Sequence, residues 1–430
     1  MKHDITICWL RRDLRLEDNT ALFHALQRPE KVLILFVFDK EILSRLEDKS
    51  DRRVAFIHET LVSMNQNLQK YNASICVMHE TSLAAFEKLN SEYNVKSIFC
   101  SRDYEATAIQ RDLGIEQFAK ENEIEFHAFK DQVNFEMSEV MKKDGTPYTI
   151  FTPYSKIWKQ LYFSTERTFY PSEKHLSNLH PFQGTIPSLT VLGFEEIESG
   201  VEGPRLNLEI IKHYKETRDI PSLEGTTRMG IHLRFGTVSV RHLAKVAAEN
   251  NETWLNELIW REFFMMILYH FPQVEHQAFR KKYDAIKWRN NEDEFKSWCE
   301  GKTGYPIVDA GMRQLNETGW MHNRVRMIVA SFLTKHLLID WRWGEAYFAQ
   351  KLLDYDLSAN NGNWQWAAGC GCDAAPYFRV FNPTLQTTKF DPKLIYIKRW
   401  IENYDELYMY PIVDHDFARK RVLAAYQEVM

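Results

Sequence analysis

With 430 residues, the chain exceeds the size at which a single hydrophobic core continues to grow, so two domains are expected. Hydrophobic residues make up 44% and charged residues 26% of the chain, which is typical of a soluble globular protein, and no apolar run is long enough to cross a membrane. The formal net charge of −5 excludes a strongly basic nucleic-acid-binding protein.

The N-terminal residues become charged too early for a secretory signal, so a cytoplasmic protein is expected. The six cysteines are scattered and form no CxxC pair, so the sequence predicts neither a zinc site nor a disulfide framework. Cys370 and Cys372 are close in sequence but have no histidine or cysteine partners at ligand spacing. We interpret them as small residues in a tight turn and predict no metal site.

Short apolar runs alternate with helical patterns over the first 131 residues. Strands are predicted at residues 5–10, 32–39, 73–80 and 95–104, and helices at residues 53–70, 83–90 and 106–122. This alternation is typical of a parallel α/β sheet, so residues 1–131 are predicted to form a Rossmann-like α/β domain. No GxGxxG motif follows the first strand, so the usual dinucleotide-binding fingerprint is not present.

Residues 132–200 are rich in Pro, Gly, Ser and Thr without clear periodicity, which predicts a long interdomain linker. Residues 201–430 show mainly the 3.6-residue period of an all-α domain, with helices predicted at 208–218, 238–248, 254–269, 309–319, 323–338 and 343–353. Ten of the twelve tryptophans lie between Trp254 and Trp400. A helical core accounts for some of them, but others lie in polar stretches such as NNGNWQWAAG.

Five segments carry the most specific signals, in this order: WLRRDLRLEDN, ELIWREFF, GKTGYPIVDAGMRQLNETGWMHNRVRM, LLDYDLSANNGNWQWAAG and DAAPYFRVFNPTLQTTKFDP. Together they strongly resemble the photolyase/cryptochrome family over nearly the whole chain, with motifs most similar to class I cyclobutane pyrimidine dimer photolyases. The resemblance implies an α/β antenna domain joined by a long linker to a helical FAD-binding domain. The predicted elements agree with that architecture.

The resemblance implies a set of FAD contacts within the second half of the chain. In EGTTRMGIHL, two threonines at a predicted helix start offer groups that suit a phosphate, although spacing alone favours an ordinary helix cap. Many members of the family have Ser where Gly230 stands, which removes one hydroxyl contact. The implied contacts are Tyr214, Thr226, Thr227, Arg228, Met229, Gly230, Trp260, Asn323, Arg326, Asp354, Tyr355, Asp356 and Asn360.

Two of these positions carry further implications. Arg326 and Asp354 match an ion pair beside the flavin, although such charges taken alone are more often on a solvated surface. Asn360 matches the position that faces flavin N5. Plant cryptochromes have Asp there, whereas a neutral amide is expected in a repair enzyme that uses reduced FADH⁻.

A lesion pocket is implied at Glu257, Trp260, Asn323, Met327 and Trp366. Photolyases are known base-flipping enzymes, and stacking on tryptophan offsets part of the unstacking energy. Glu257, when protonated, is implied to donate a hydrogen bond to a thymine carbonyl and stabilise the dimer radical anion, although its pattern alone fits a solvent-facing residue of an amphipathic helix. Photolyases that act on (6-4) photoproducts have histidines at the positions of Asn323 and Met327. A cyclobutane dimer is therefore the predicted substrate.

Backbone contacts with UV-damaged DNA are implied for Arg218, Arg324, Arg379, Gln386 and Lys389. Three tryptophans, Trp364, Trp341 and Trp288, match a relay that passes electrons from the surface to the excited oxidised flavin. The alternative for these tryptophans is a role in core packing.

The predicted function is light-driven repair of cyclobutane pyrimidine dimers by electron transfer from excited FADH⁻. The alternative is a cryptochrome-type blue-light sensor without repair activity, and a flavodoxin-like redox enzyme is remote. Ala108 and Glu275 stand where folate-binding relatives have an acidic residue and a lysine, which disfavours a folate antenna. A deazaflavin, FMN or an empty antenna site stays open. The protein is expected to be a monomer.

Overall fold

The computed structural model describes residues 2–407 and 410–430, which group into two compact units. The first unit comprises Met1–Glu139, Gln160–Arg205 and Met229–Val246, and the second comprises Val140–Lys159, Leu206–Arg228 and Ala247–Met430. Each unit is therefore built from three stretches of the chain. The domains proposed from the sequence, 1–131, 132–200 and 201–430, are instead continuous.

The first unit contains a parallel sheet of five strands within the described residues, in the order β3-β2-β1-β4-β5. The central strands are buried on both faces, which explains their nearly continuous apolar sequences. The predicted parallel, Rossmann-like sheet is confirmed, and one further strand, β5, follows the third predicted helix. The strands are β1 (Asp4–Leu10), β2 (Lys31–Val37), β3 (Cys76–Met78), β4 (Asn94–Ser101) and β5 (Glu125–Phe129).

Six α-helices occur among residues 2–205: α1 (Thr20–Leu26), α2 (Lys40–Leu43), α3 (Arg52–Leu68), α4 (Ser82–Glu92), α5 (Ala106–Glu121) and α6 (Phe151–Ser164). Helix α6 lies in the segment that we expected to lack periodic structure, so that expectation was wrong over these residues. Pro153 stands in its first turn, where the missing N–H group of proline breaks no helical hydrogen bond. Prolines and glycines on both sides hid the pattern of the helix.

The rest of the described chain is helical, as the sequence predicts: α7 (Leu208–Lys212), α8 (Tyr214–Thr217), α9 (Gly230–Phe235), α10 (Val240–Asn250), α11 (Glu252–His270), α12 (Glu292–Cys299), α13 (Pro306–Thr318), α14 (Asn323–Ser331), α15 (Trp341–Lys351), α16 (Leu357–Ala368), α17 (Pro383–Phe390), α18 (Ile395–Trp400), α19 (Tyr404–Leu407) and α20 (His415–Gln427). The predicted helix 208–218 is divided into α7 and α8. Among the described residues, no helix has both the length and the apolar character needed to span a bilayer.

The predicted helix 323–338 changes geometry after α14, because residues Phe332–His336 form a π-helical turn. This turn carries Lys335, whose side chain is fully buried. Nζ of Lys335 donates to the carbonyl oxygen of Ala368, at the end of α16, over 2.7 Å. The Lys335 amine and the Tyr426 hydroxyl thus both donate to a carbonyl that helix α16 leaves unpaired.

Two glycines allow α16 to pack unusually close to its neighbours. A Cβ atom on Gly362 would lie 2.1 Å from Cδ1 of Phe264 on α11, and a Cβ atom on Gly344 of α15 would lie 2.1 Å from Cη2 of Trp364. Any larger residue would push the helices apart. The side chains that α16 presents are therefore held in fixed positions.

Candidate active site

A pocket in the second unit is formed by α14, α15, α16 and the segment between α15 and α16. It encloses about 610 Å³ of empty space, which includes the solvent at its open mouth. Its walls combine aromatic and aliphatic side chains with a few polar ones. The lining residues are Asn323, Arg326, Met327, Ala330, Phe348, Leu352, Asp354, Tyr355, Asp356, Ala359, Asn360, Asn363, Trp364, Trp366 and Ala367.

Helix α16 supplies one wall through residues spaced by three or four positions. Asp356 caps the helix by accepting from the Ala359 N–H group, and Asn360, Trp364 and Ala367 follow on the same face. The sequence is rich in Asn and contains a glycine, which lowers its helix propensity. For this reason the sequence did not predict α16. In the folded protein, packing against α11 and α15 compensates for the low helix propensity.

Helix α14 supplies another wall of the pocket, also through residues spaced by three or four positions. Asn323, Met327 and Ala330 share one face, and Arg326 lies beside them. Ala330, Ala367 and Phe348 were not predicted as site residues. The first two are detectable by helical spacing from Asn323 and Asn360, whereas nothing in the sequence identifies Phe348.

The polar rim of the pocket contains the predicted ion pair of Arg326 and Asp354. Nη2 of Arg326 lies 2.9 Å from Oδ2 of Asp354, and Nε donates to the Met321 carbonyl oxygen. Oδ1 of Asp354 is buried and accepts no hydrogen bond from any described residue. A buried acceptor without a donor is rare and favours a ligand that supplies one. The polar edge of an isoalloxazine ring carries such an N–H donor, and the apolar walls suit its flat rings, so the residues fit FAD.

Asn360 has a defined hydrogen bond on one side only. Its Nδ2 donates to the backbone oxygen of Glu345 over 3.1 Å, which leaves its carbonyl oxygen as an acceptor at the pocket wall. The Glu345 carboxyl accepts from Nδ2 of the neighbouring Asn361. Burial raises the pKa of Glu345 to about 7.

A charged cluster, consisting of Arg218, Asp219, Glu257 and Arg324, lies in the same unit but is not part of the pocket lining. Arg218 forms an ion pair with Glu257, and Arg324 forms one with Asp219. Burial raises the pKa of Glu257, and the neighbouring Arg218 guanidinium opposes that rise. The predicted DNA contacts Arg379 and Lys389 are exposed, and Gln386 is half-buried.

Trp260 packs face to face with Phe151, with ring centroids 3.7 Å apart and planes inclined by 4°. Phe151, at the start of α6, was not predicted as a site residue, because it is distant in sequence and carries no motif. Of the predicted lesion residues, Asn323, Met327 and Trp366 line the pocket, while Glu257 and Trp260 do not.

The predicted phosphate-binding run is arranged differently from the expectation. The helix start expected at Thr226 and Thr227 lies instead at Gly230, and its N-cap residue is Met229. Arg228 has a φ angle of +52° and stacks over Trp320 at 4.3 Å. The two threonines therefore do not cap the helix, and Tyr214 stands at the start of α8.

The three predicted relay tryptophans differ in their surroundings. The Trp364 ring contacts Phe348 at 5.0 Å and Trp298 at 6.1 Å between centroids. Trp341 is buried, and Trp288 is half-buried against Tyr426. Among the ring contacts of the described residues, none joins two of the three. Trp298, which sequence motifs did not indicate, is the indole that touches Trp364.

Similarity to known proteins agrees with this geometry. Residues 6–172 match the DNA photolyase family, and residues 254–428 match the FAD binding domain of DNA photolyase. A deoxyribodipyrimidine photo-lyase of Alkalihalophilus pseudofirmus is 36% identical over 97% of both chains. Two solved structures superpose with TM-scores of 0.86. One is a bacterial class III photolyase from Agrobacterium tumefaciens, which is 30% identical; the match covers 100% of this chain and 98% of that chain. The other is an archaeal photolyase from Sulfolobus tokodaii with two FAD molecules, which is 34% identical; the match covers 99% of this chain and 100% of that chain. The chain therefore belongs to the DNA photolyase family, and its helical part is an FAD-binding domain.

Proposed function

We propose that the protein repairs cyclobutane pyrimidine dimers in UV-damaged DNA when it absorbs blue or near-ultraviolet light. One observation carries the proposal: Asn323, Met327 and Trp366, which match lesion contacts, line the same pocket as Asp354 and Asn360, which match flavin contacts. Reduced FAD, held by residues such as Asp354 and Asn360, would supply light-driven transfer of one electron to the dimer and its return.

The pocket residues bind and orient the flavin and the lesion. Asn360 presents its carbonyl oxygen as an acceptor, because its Nδ2 donates to the Glu345 carbonyl, and an amide has no carboxyl proton to transfer. Asp354, paired with Arg326, would accept a hydrogen bond from the flavin edge through its free Oδ1. Trp366 provides a face on which a flipped-out dimer stacks. Residues that hold both molecules in one pocket shorten the distance that the electron has to cross.

The cyclobutane dimer is the proposed lesion because the pocket wall carries Asn323 and Met327 on one helix face. Neither side chain is a proton donor of the histidine type. Breaking a cyclobutane ring requires an electron but no net proton transfer, which suits an amide and a thioether.

Glu257 is proposed to become a hydrogen-bond donor when DNA binds. In the free protein Arg218 holds the Glu257 carboxylate, and that contact lowers a pKa that burial raises. A DNA phosphate that takes over the Arg218 guanidinium removes the lowering contribution. Glu257 then takes up a proton and donates to a carbonyl oxygen of the dimer, where negative charge develops.

The test is a lesion-specific assay in light and in darkness, with the flavin reduced beforehand. We expect cyclobutane dimers to disappear from single- and double-stranded DNA only in light, and (6-4) photoproducts to persist. A protein that undergoes photoreduction but leaves both lesions intact would instead be a light sensor of the cryptochrome type. Equal repair in darkness would contradict both functions.

Two properties of the working protein complete the proposal. We expect a cytoplasmic monomer, which sedimentation of the purified protein and fractionation of cells examine. The second chromophore is identified by chromatography of the compounds released on denaturation. A deazaflavin, FMN or FAD alone are distinguishable by their retention and absorption.

A further inference from the structure

Two arginines of the charged cluster meet at a single carboxylate oxygen. Nη2 and Nε of Arg324 lie 2.8 and 3.2 Å from Oδ1 of Asp219, and Nε of Arg218 lies 3.9 Å from the same atom. Both guanidinium groups match DNA phosphate contacts of the family. An internal anion therefore already occupies the position between them that suits a phosphate.

Arg324 and Asp219 differ in their access to solvent. The Arg324 side chain is 16% exposed and lies over the Phe390 ring at 4.3 Å, whereas Asp219 is 42% exposed. The carboxylate of Asp219 is thus more accessible to a phosphate in solution than the guanidinium of Arg324. Like charges in such an arrangement repel, so the approach is unfavourable unless Asp219 is displaced.

The stability of the fold does not account for this pair. An ion pair with one well-exposed partner contributes little to the free energy of unfolding, because water and salt screen it. The packing of Arg324 against Phe390 holds the aliphatic stem in place without Asp219. Asp219 instead affects binding, because its carboxylate occupies the Arg324 guanidinium that an incoming anion would otherwise bind.

We propose that Asp219 is a specificity-determining residue, which keeps Arg324 from binding the phosphates of undamaged DNA. The inference rests on the proposed repair function. A stacked duplex keeps its backbone outside the cluster and meets the Asp219 carboxylate. A strand with a flipped-out dimer enters the cluster, and its phosphate replaces the carboxylate on Arg324. Discrimination thus comes from a penalty against the wrong ligand.

The experiment compares Asp219→Asn with the wild-type holoprotein in binding to undamaged duplex DNA and to the same duplex with one cyclobutane dimer. Asparagine has the shape of aspartate without its charge, so folding and FAD content are kept. We expect affinity for undamaged DNA to rise about two- to fivefold, the range of an exposed ion pair. Its salt dependence should steepen by about 0.9 in log K against log salt concentration, the share of one phosphate contact. For the damaged duplex the slope should stay unchanged, because its phosphate already contacts Arg324 in the wild type.

Glu300→Gln is the matched control. Glu300 pairs with Lys302 over 2.8 Å outside the cluster, so its substitution removes the same single charge. A steeper slope in this control as well would attribute the effect to net charge and overturn the proposal. In the double variant Asp219→Asn, Arg324→Gln, the slope of log K against log salt concentration should no longer be steeper, because the guanidinium that binds the extra phosphate is absent.

Other outcomes separate this proposal from the proposed function. An equal steepening of the slope on damaged and undamaged DNA, or an unchanged slope on undamaged DNA in Asp219→Asn, would overturn the role of Asp219, while light-dependent loss of dimers with the wild type would still uphold repair. A wild-type protein without any preference for the dimer would refute the proposed function and this inference together.

Discussion

The guanidinium of Arg218, just after α8, forms an ion pair with the carboxylate of Glu257 on α11. The ion pair favours the charged form of Glu257, whereas burial favours the neutral form and raises its pKa. It links the position of a cation that we propose binds DNA to the protonation of a group that we propose lies beside the lesion.

The first prediction concerns this carboxyl group. Glu257→Ala should lower the quantum yield of dimer repair several-fold with FAD retained, because a donor to the developing negative charge is lost. The loss is smaller than the factor of about 10²–10³ measured for oxyanion donors, since only competition with back electron transfer is affected. Glu257→Gln retains an N–H donor and should keep most of the yield. Equal yields in all three proteins at saturating substrate would show that Glu257 does not act on the dimer.

The second prediction concerns Trp364 and the proposed tryptophan relay. Trp364→Phe keeps an aromatic ring of similar shape, so stability should change only modestly. Photoreduction of oxidised FAD by an external thiol should largely fail, because phenylalanine is much harder to oxidise than an indole. Repair should survive once the flavin is reduced chemically. Trp400→Phe, in the same unit, is the control, and normal photoreduction in Trp364→Phe would mean that electrons take another route.

The third prediction concerns the close packing of α16. Gly362→Ala should destabilise the protein and reduce FAD content, because the new Cβ would lie 2.1 Å from the Phe264 ring. Gly114→Ala in α5 is the control, since nothing lies within 4 Å of its Cβ position. There the substitution should stabilise the protein by about 0.5–1 kcal/mol through helix propensity. Urea unfolding and the ratio of flavin to protein absorbance measure both effects. A Gly362→Ala protein as stable and as rich in FAD as Gly114→Ala would contradict the close contact.

The fourth prediction concerns His322, the N-cap residue of α14. Its Nδ1 accepts from the Arg324 N–H group, and Nε2 is buried with no hydrogen-bond partner in the described part of the chain. Burial lowers the pKa from 6.5 to about 4, so protons bind the unfolded chain more readily. The stabilisation from neutral His322 is present above pH 6.5 and is lost as the pH falls towards 4. The loss is on the order of 3 kcal/mol.

His322→Asn tests that pH dependence, because asparagine caps helices well and does not titrate. The urea midpoint should fall less between pH 7 and pH 4 in this variant than in the wild type. The nearby Asp219, Arg324 and Arg326 charges are unchanged by the substitution. An identical fall in both proteins would assign the acid sensitivity to other groups.

The sequence predicted the fold more fully than the site. Four strands were found because buried parallel strands are nearly continuous apolar runs, and most long helices because their apolar stripes repeat. Helix α16 was missed, since Asn and Gly give it low propensity and its stability comes from packing. Motif resemblance identified Asn323, Asp354 and Asn360, which the structure brings to one pocket. Their roles remain predictions.

What the sequence could not supply was contact between distant residues. The stacking of Phe151 on Trp260 joins residues far apart in the chain, and neither belongs to a pattern that indicates the other. The sharing of Asp219 between two arginines is likewise a product of tertiary structure. Local periodicity carries no information on such pairs.

The buried amine of Lys335 has a consequence for how the chain is made. Its Nζ lies 3.8 Å from the centre of the Tyr426 ring and donates to the Ala368 carbonyl, so the partners come from helices α16 and α20. A nascent chain that stops before residue 426 lacks the ring that covers this polar group, and a polar group without its surroundings resists removal from water. On the ribosome, therefore, the helical unit reaches its final packing only after its last helix has been synthesised, while the five-stranded sheet can form earlier.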